Sequence, residues 1–132
     1  MTVLRRALGL GAVLLLVVAA PLVVVPSTIA ERVMGQATTG DDVWIRLTGA
    51  ACLALGLFHV LVIRKLDDLW WWCWAFVLFD GTVSVIALVQ AAIGPPEGSA
   101  SWPWWLSGFV AAGFVASYLV GLAIAGRERP FA

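Results

Sequence analysis

Charge is what this chain has least of. Only 12% of its 132 residues are Asp, Glu, Lys or Arg, while 62% are hydrophobic and mean hydropathy is +0.99. A soluble domain covers its surface with about 25% charged residues, so most of this surface faces something other than water. The 8 basic and 8 acidic residues cancel. No basic run exceeds two residues, which excludes the usual nucleic-acid footprint. Cysteine and histidine are equally scarce. Cys52 and Cys73 form no Cys-x-x-Cys pair, and the single histidine, His59, cannot complete a zinc set. No connection between apolar runs holds a catalytic domain. The longest, Glu31 to Asp42, has no nucleophile–base arrangement, and the chain reads as non-catalytic.

What the chain does have is four apolar runs, each near the roughly 20 residues that a helix needs to cross the hydrocarbon core. They predict helices over about 7–30, 43–63, 69–93 and 104–125. The first has the basic start of a signal peptide, and Thr28-Ile29-Ala30 is a loose cleavage pattern. Its length exceeds the usual ~7–15 apolar residues of such a segment, so it reads as a helix of the protein. Asp41 or Asp42 can cap the second helix and Asp67 or Asp68 the third. Pro95 and Pro96 stop the third helix, Ser101 and Pro103 open the fourth, and Pro21 and Pro26 kink or end the first. Connections this short make sequential helices antiparallel neighbours. The expected fold is all-α, an up-down antiparallel membrane four-helix bundle forming one domain.

Basic residues set the orientation. With the N-terminus inside, Arg5, Arg6, Arg64, Lys65, Arg127 and Arg129 are cytoplasmic, and only Arg32 and Arg46 lie outward. Both termini are therefore expected in the cytoplasm of a bacterium, with the chain in its inner membrane. Trp70, Trp71, Trp72 and Trp74 fall at the inner boundary, and Trp44, Trp102, Trp104 and Trp105 at the outer one. These are two interfacial belts, where an indole buries its ring and keeps its N–H satisfied. A tryptophan-lined pigment or quinone site is the alternative use of the same residues.

Ionisable groups inside a membrane are expensive and usually functional. On the second helix Arg46, Gly49, Cys52, Gly56 and His59 recur every three or four residues and share a face. On the third, Cys73, Asp80, Ser84 and Ala87 form a second stripe. Two such stripes are expected to face each other or a shared cavity. At 1.5 Å per residue, Asp80 is level with Gly56, and His59 lies about one turn away, which makes Asp80–His59 the preferred pair. Arg46 aligns with Gln90 and can meet it, a backbone carbonyl or a lipid headgroup; a bridge from Arg46 down to Asp80 is the alternative. Asp80 is either a packing carboxyl, a proton or cation site, or a contact for a partner. His59 is either a packing residue or an axial ligand for haem or a chlorophyll-type pigment. On the fourth helix Gly113, Ser117 and Gly121 make a small-residue row, beside Gly108, Ala112 and Ala116, suited to helix packing or to a partner.

The segment Trp44-Ile45-Arg46-Leu47-Thr48-Gly49, followed by Gly56, resembles the DoxX-like and BphX-like groups of small bacterial four-helix membrane proteins. The resemblance implies a four-helix bundle and an association with membrane redox complexes; it transfers no catalytic residue. Small multidrug transporters share the size, but they rely on a glutamate in the first helix, where this chain has no acid. Quinone-reducing disulfide enzymes need the absent Cys-x-x-Cys. Three functions remain: an accessory subunit packed in a larger, energy-transducing membrane complex; a small oligomeric or proton-coupled carrier using Asp80; and a haem- or pigment-binding protein using His59. Their partners are the lipid bilayer and a membrane protein or a second copy of the chain.

Overall fold

The computed structural model describes residues 1–37 and 42–128. Among them the secondary structure is helical throughout. The α-helices are α1 (Thr2–Val24), α2 (Val43–Arg64), α3 (Leu66–Leu69), α4 (Cys73–Ile93) and α5 (Trp102–Glu128). A π-helical turn at Thr28–Val33 follows α1, and a 3-10 turn at Trp70–Trp72 joins α3 to α4. Four stretches are long and apolar enough to cross a membrane: Thr2–Val24, Val43–Arg64, Leu66–Ile93 and Trp102–Glu128. The chain is a multi-pass membrane protein by this measure, and its lipid-facing surface includes Leu10, Leu78 and Ile93, each at least 66% exposed.

The ends differ from the sequence reading for local reasons. The first helix begins at Thr2, not Ala7, and stops at Val24 rather than running to Ala30. Pro26 has no N–H to give the Leu22 carbonyl, and the chain is rewound as the π turn from Thr28. The third span starts in two pieces. Lys65 leaves the helical region at φ −121°, ψ 38°, and Asp67 and Asp68 fall inside the one-turn α3 instead of capping a long helix. The 3-10 winding spreads three consecutive indoles about 120° apart; Trp70 turns inward and Trp71 and Trp72 stay exposed. Asp42 stands at the start of α2 without a side-chain cap bond; Asp41 and Arg129 lie outside the described residues. The fourth helix opens as its sequence suggests, with the Trp104 and Trp105 N–H groups donating to the Ser101 carbonyl.

The helices associate chiefly as α1 with α2 and α4 with α5, and α1 also lies against α5. The backbones of α2 and α4 approach far less closely. Glycines mark the tight seams. A Cβ on Gly49 would fall 2.9 Å from Leu22 Cβ, and one on Gly56 would fall 2.8 Å from Leu16 Cγ. Both α2 glycines thus face α1, whereas their stripe was expected to face the third span or a shared cavity; His59, in the same stripe, does reach Phe76 of the third span. On α5, a Cβ on Gly108 would fall 2.7 Å from Leu88 Cγ, and one on Gly121 would fall 2.9 Å from Leu4 Cδ1 and 3.2 Å from Leu4 Cα. A Cβ on Gly113 would meet nothing within 4 Å. The small-residue row of α5 therefore splits: Gly121 packs inside and Gly113 faces outward.

Packing is uneven along the bundle. At the end where the Met1 amine meets Glu128 Oε2 at 3.2 Å, large side chains from all four long helices interlock. Leu4, Leu8, Val62, Phe76 and Tyr118 are each no more than 1% exposed there. At the other end the buried residues of α4 and α5 are small, among them Ala87, Ala91, Gly108 and Ala111, and Leu22 and Pro26 are the large ones buried there. The N-terminal helix supplies Leu4, Ala7 and Leu8 to the core, so it is an integral part of the bundle.

These seams give a direct test. Gly121→Val places its Cβ against the Leu4 backbone and is expected to cost about 1–3 kcal/mol, the usual range for overpacking. Gly113→Ala is expected to leave the melting temperature in detergent unchanged or raised. Equal losses at the two sites would refute the division of the row.

Candidate functional site

His59 lies in α2, 1% exposed, and touches every other long helix. Its Nδ1 is 2.8 Å from the Leu55 carbonyl oxygen one turn back. A carbonyl can only accept, so in the neutral ring Nδ1 carries the proton and Nε2 offers a lone pair. The Tyr118 hydroxyl of α5 donates to that lone pair at 3.0 Å. The imidazole stacks on Phe76 of α4, with centroids 3.8 Å apart. From α1, Gly11 closes the pocket: a Cβ there would fall 2.7 Å from the Tyr118 hydroxyl and 3.0 Å from Nε2. Any larger residue at position 11 would displace one partner of the bond. Both ring nitrogens are engaged, and the ring presents none to a haem or pigment in this arrangement.

This corrects the pairing expected from the sequence. His59 bonds to Tyr118, not to Asp80. Depth counting compared only two helices and passed over the fourth. The missed signal was the lone tyrosine. A phenol in the middle of an apolar span needs a hydrogen-bond partner, and the one histidine is the natural acceptor.

Asp80 itself stands on the inward face of α4. Cys73, Phe76, Asp80, Ser84 and Ala87 follow at spacings of three or four, and all except Asp80 are buried. Asp80 is half-buried. Among the described residues its carboxyl makes no hydrogen bond or ion pair. Ser84, one turn away, is satisfied by donating to the Gly108 carbonyl at 2.9 Å. Every fully buried side-chain N or O among the described residues has a partner. The unpartnered carboxyl is therefore one that retains access from outside the packed core.

The remaining seam residues separate. Arg46 is exposed, and its guanidinium donates to the Val23 carbonyl in the last turn of α1, where helical carbonyls lack intrahelical partners. The backbone-carbonyl option was thus the correct one for Arg46. Gln90 donates to the Gly94 carbonyl at the end of its own helix instead of meeting Arg46. Neither belongs with Asp80, because α2 turns its Arg46 end toward α1. Cys52 is half-buried and Cys73 buried, and both are free thiols. Among the described residues no three His, Cys, Asp or Glu side chains come together to hold a metal ion.

No family model matches the chain, and neither the characterised proteins nor the solved structures contain a match to it. The DoxX-like resemblance accordingly rests on the residues from Trp44 to Gly56 and on the four-helix layout alone.

A double-mutant cycle tests the pair. His59→Ala and Tyr118→Phe are expected to be coupled by about 0.6–1.7 kcal/mol, the range for hydrogen bonds within membrane bundles. His59→Ala with Asp80→Asn should add independently in the same unfolding assay. Coupling in the second cycle but not in the first would restore the Asp80–His59 pair.

Proposed function

We propose that this chain is a small, oligomeric, proton-coupled carrier of the bacterial inner membrane, in which Asp80 takes up and releases the proton. The observation that carries the reading is Asp80 itself: an acid on the inward face of a spanning helix, half-buried and, among the described residues, without a hydrogen-bond partner. A structural carboxyl in that position would be expected to hold a partner, since an unpaired one costs too much to keep in hydrocarbon. The carrier arrangement is an up-down antiparallel bundle with both termini cytoplasmic. Supporting it, Leu4 and Gly11 of α1 meet Gly121 and Tyr118 of α5, and Arg5, Arg6, Arg64, Lys65 and Arg127 gather at the end where Met1 meets Glu128. That end is tightly packed and the opposite one is not, as suits a carrier resting open to the outside.

A hydrophobic carbodiimide, which reacts with the protonated carboxyl, tests this without knowledge of a substrate. Labelling of Asp80 in proteoliposomes should rise as pH falls, because an acid in exchange with bulk protons is increasingly protonated. Asp80→Asn should abolish it. Labelling absent at every pH, or constant across pH, would remove Asp80 as a proton site.

A second reading has its own observation. Gly113 leaves a notch on the outer face of α5 that no described residue fills, which suits close approach by another transmembrane helix. On this reading the chain is an accessory subunit of a larger, energy-transducing membrane complex. Gly113→Leu should then release it from a high-molecular-weight band on native gels, with no change in the melting temperature of the isolated chain. An unchanged band argues against the notch as a contact.

A further inference from the structure

Glycine contacts fix the register of the α1–α2 seam. Gly49 lies against Leu22 and Val23, and Gly56 against Leu15 and Leu16. Continued in antiparallel order, this places Arg64 opposite Ala7 and Lys65 opposite Arg6, with Arg5 about 3 Å from the level of Arg64 at 1.5 Å per residue. Arg64 also follows Arg46 by 18 residues, about five turns, so both arginines leave α2 on one flank. Their surroundings differ. At the Arg46 end of the seam α1 finishes, and its Val23 carbonyl accepts from the guanidinium. Gln36 is also satisfied there, donating to the Ala100 carbonyl at 2.9 Å and accepting from Trp104 Nε1 at 3.2 Å, so two outer connections share it. At the Arg64 end α1 begins. The carbonyls of a first turn are taken up by the helix itself, this first turn holds no acid, and the side chains it brings are Arg5 and Arg6.

Four cations thus meet at one end of one seam, all of them exposed. Among the described residues none of the four makes an ion pair or a side-chain hydrogen bond. The acids of this end do not neutralise them. Glu128 is taken by the Met1 amine, and Asp67 and Asp68, next along the chain, leave Arg64 and Lys65 unbridged. Set against these three acids, the Met1 amine, Arg5, Arg6, Arg64, Lys65 and Arg127 leave the described part of this end net positive by three. Like charges held at one level repel unless an anion lies between them. Toward mid-membrane the same flank turns apolar. Gly9 and Val13 follow Arg5 in four-residue steps, and Leu61 and Leu57 precede Lys65 in the same way. Val13, Leu57 and Leu61 are exposed, and a Cβ on Gly9 would meet nothing within 4 Å. Cations above an exposed apolar strip match a headgroup phosphate above its acyl chains. We propose that Arg5 and Arg64 bridge the phosphate of an anionic phospholipid at this end of the α1–α2 seam, with Arg6 and Lys65 beside it and an acyl chain over Gly9. The inference stands apart from the carrier reading, since neither Asp80 nor transport enters it.

Phosphatidylglycerol is the probe, with phosphatidylcholine of the same acyl chains as its net-neutral comparison. Each is titrated into the delipidated full chain in an uncharged detergent, and bound lipid is counted by native mass spectrometry. Phosphatidylglycerol should bind saturably and on the order of 25-fold more tightly than phosphatidylcholine, the product of two cations at about fivefold each. Arg5→Gln and Arg64→Gln should each remove about fivefold. Arg46→Gln, on the same flank but with its guanidinium already on the Val23 carbonyl, should remove nothing. Glycerophosphoglycerol, the same headgroup without acyl chains, should not displace the lipid. Equal binding of the two lipids, unchanged affinity in Arg5→Gln or Arg64→Gln, or an equal loss in Arg46→Gln would each overturn the proposal. Displacement by the free headgroup would overturn it as well, by marking a site for soluble anions. Should one of the two arginine variants fail to fold, the other decides alone, because the bridge needs both guanidiniums.

Discussion

The hydrogen bond from Tyr118 to His59 is the contact on which the bundle turns. A lipid-filled surface gives helices little hydrophobic reason to associate, so packing and buried polar contacts must specify how they meet. This one bond engages α2 and α5, rests on a ring of α4 and is closed by a glycine of α1. Its parts are mutually dependent. The Leu55 carbonyl fixes which nitrogen carries the proton, that choice makes Nε2 an acceptor, and the acceptor orients the phenol. The absence of a side chain at Gly11 lets α1 lie near enough to keep lipid away from the bond.

From that layer the two ends of the molecule diverge. On one side large residues fill the space common to all four long helices; on the other, glycine and alanine draw the helices together two by two. Asp80 sits at the transition, facing inward and one turn from the stacked Phe76. Its exposure follows from this change in packing style, because α2 and α4 meet through aromatic side chains near one end and lack such a bridge beside Asp80. Satisfied polar groups and a loosely filled interior have to be considered together here. Ser84 is paired and buried, Asp80 is neither, and only one helical turn separates them.

Much of this was legible in the chain. Run length and hydropathy gave the four spans, and the prolines marked the end of the first and the start of the last. Glycine spacing identified close approaches at Gly49, Gly56 and Gly121. What spacing could not provide was the neighbour. A helix has several faces, and a stripe of small residues says that something comes close without saying which helix; the α2 stripe went to α1. The His59 partner was missed for a related reason. Intramembrane charge drew the reading to Asp80, whereas the ring had already found a carbonyl on its own helix and a neutral phenol on another. Gln36 was also passed over, because a glutamine in a connection carries no pattern. Its importance comes from two loops distant in sequence that converge on it.

The pairing of helices bears on how the protein is made. The chain amounts to two hairpins, α1–α2 and α4–α5, joined through the broken segment from Lys65 to Trp72. The first hairpin can leave the insertion machinery complete, since its glycine seams need nothing synthesised later. His59 must then wait in lipid until residue 118 is made. Its only N–H is already bonded to Leu55 in its own helix, so what stands open meanwhile is a lone pair, and unfilled acceptors are tolerated better than orphaned donors. The choice of tautomer that later orients Tyr118 thus also protects the half-made protein while it lacks its second hairpin.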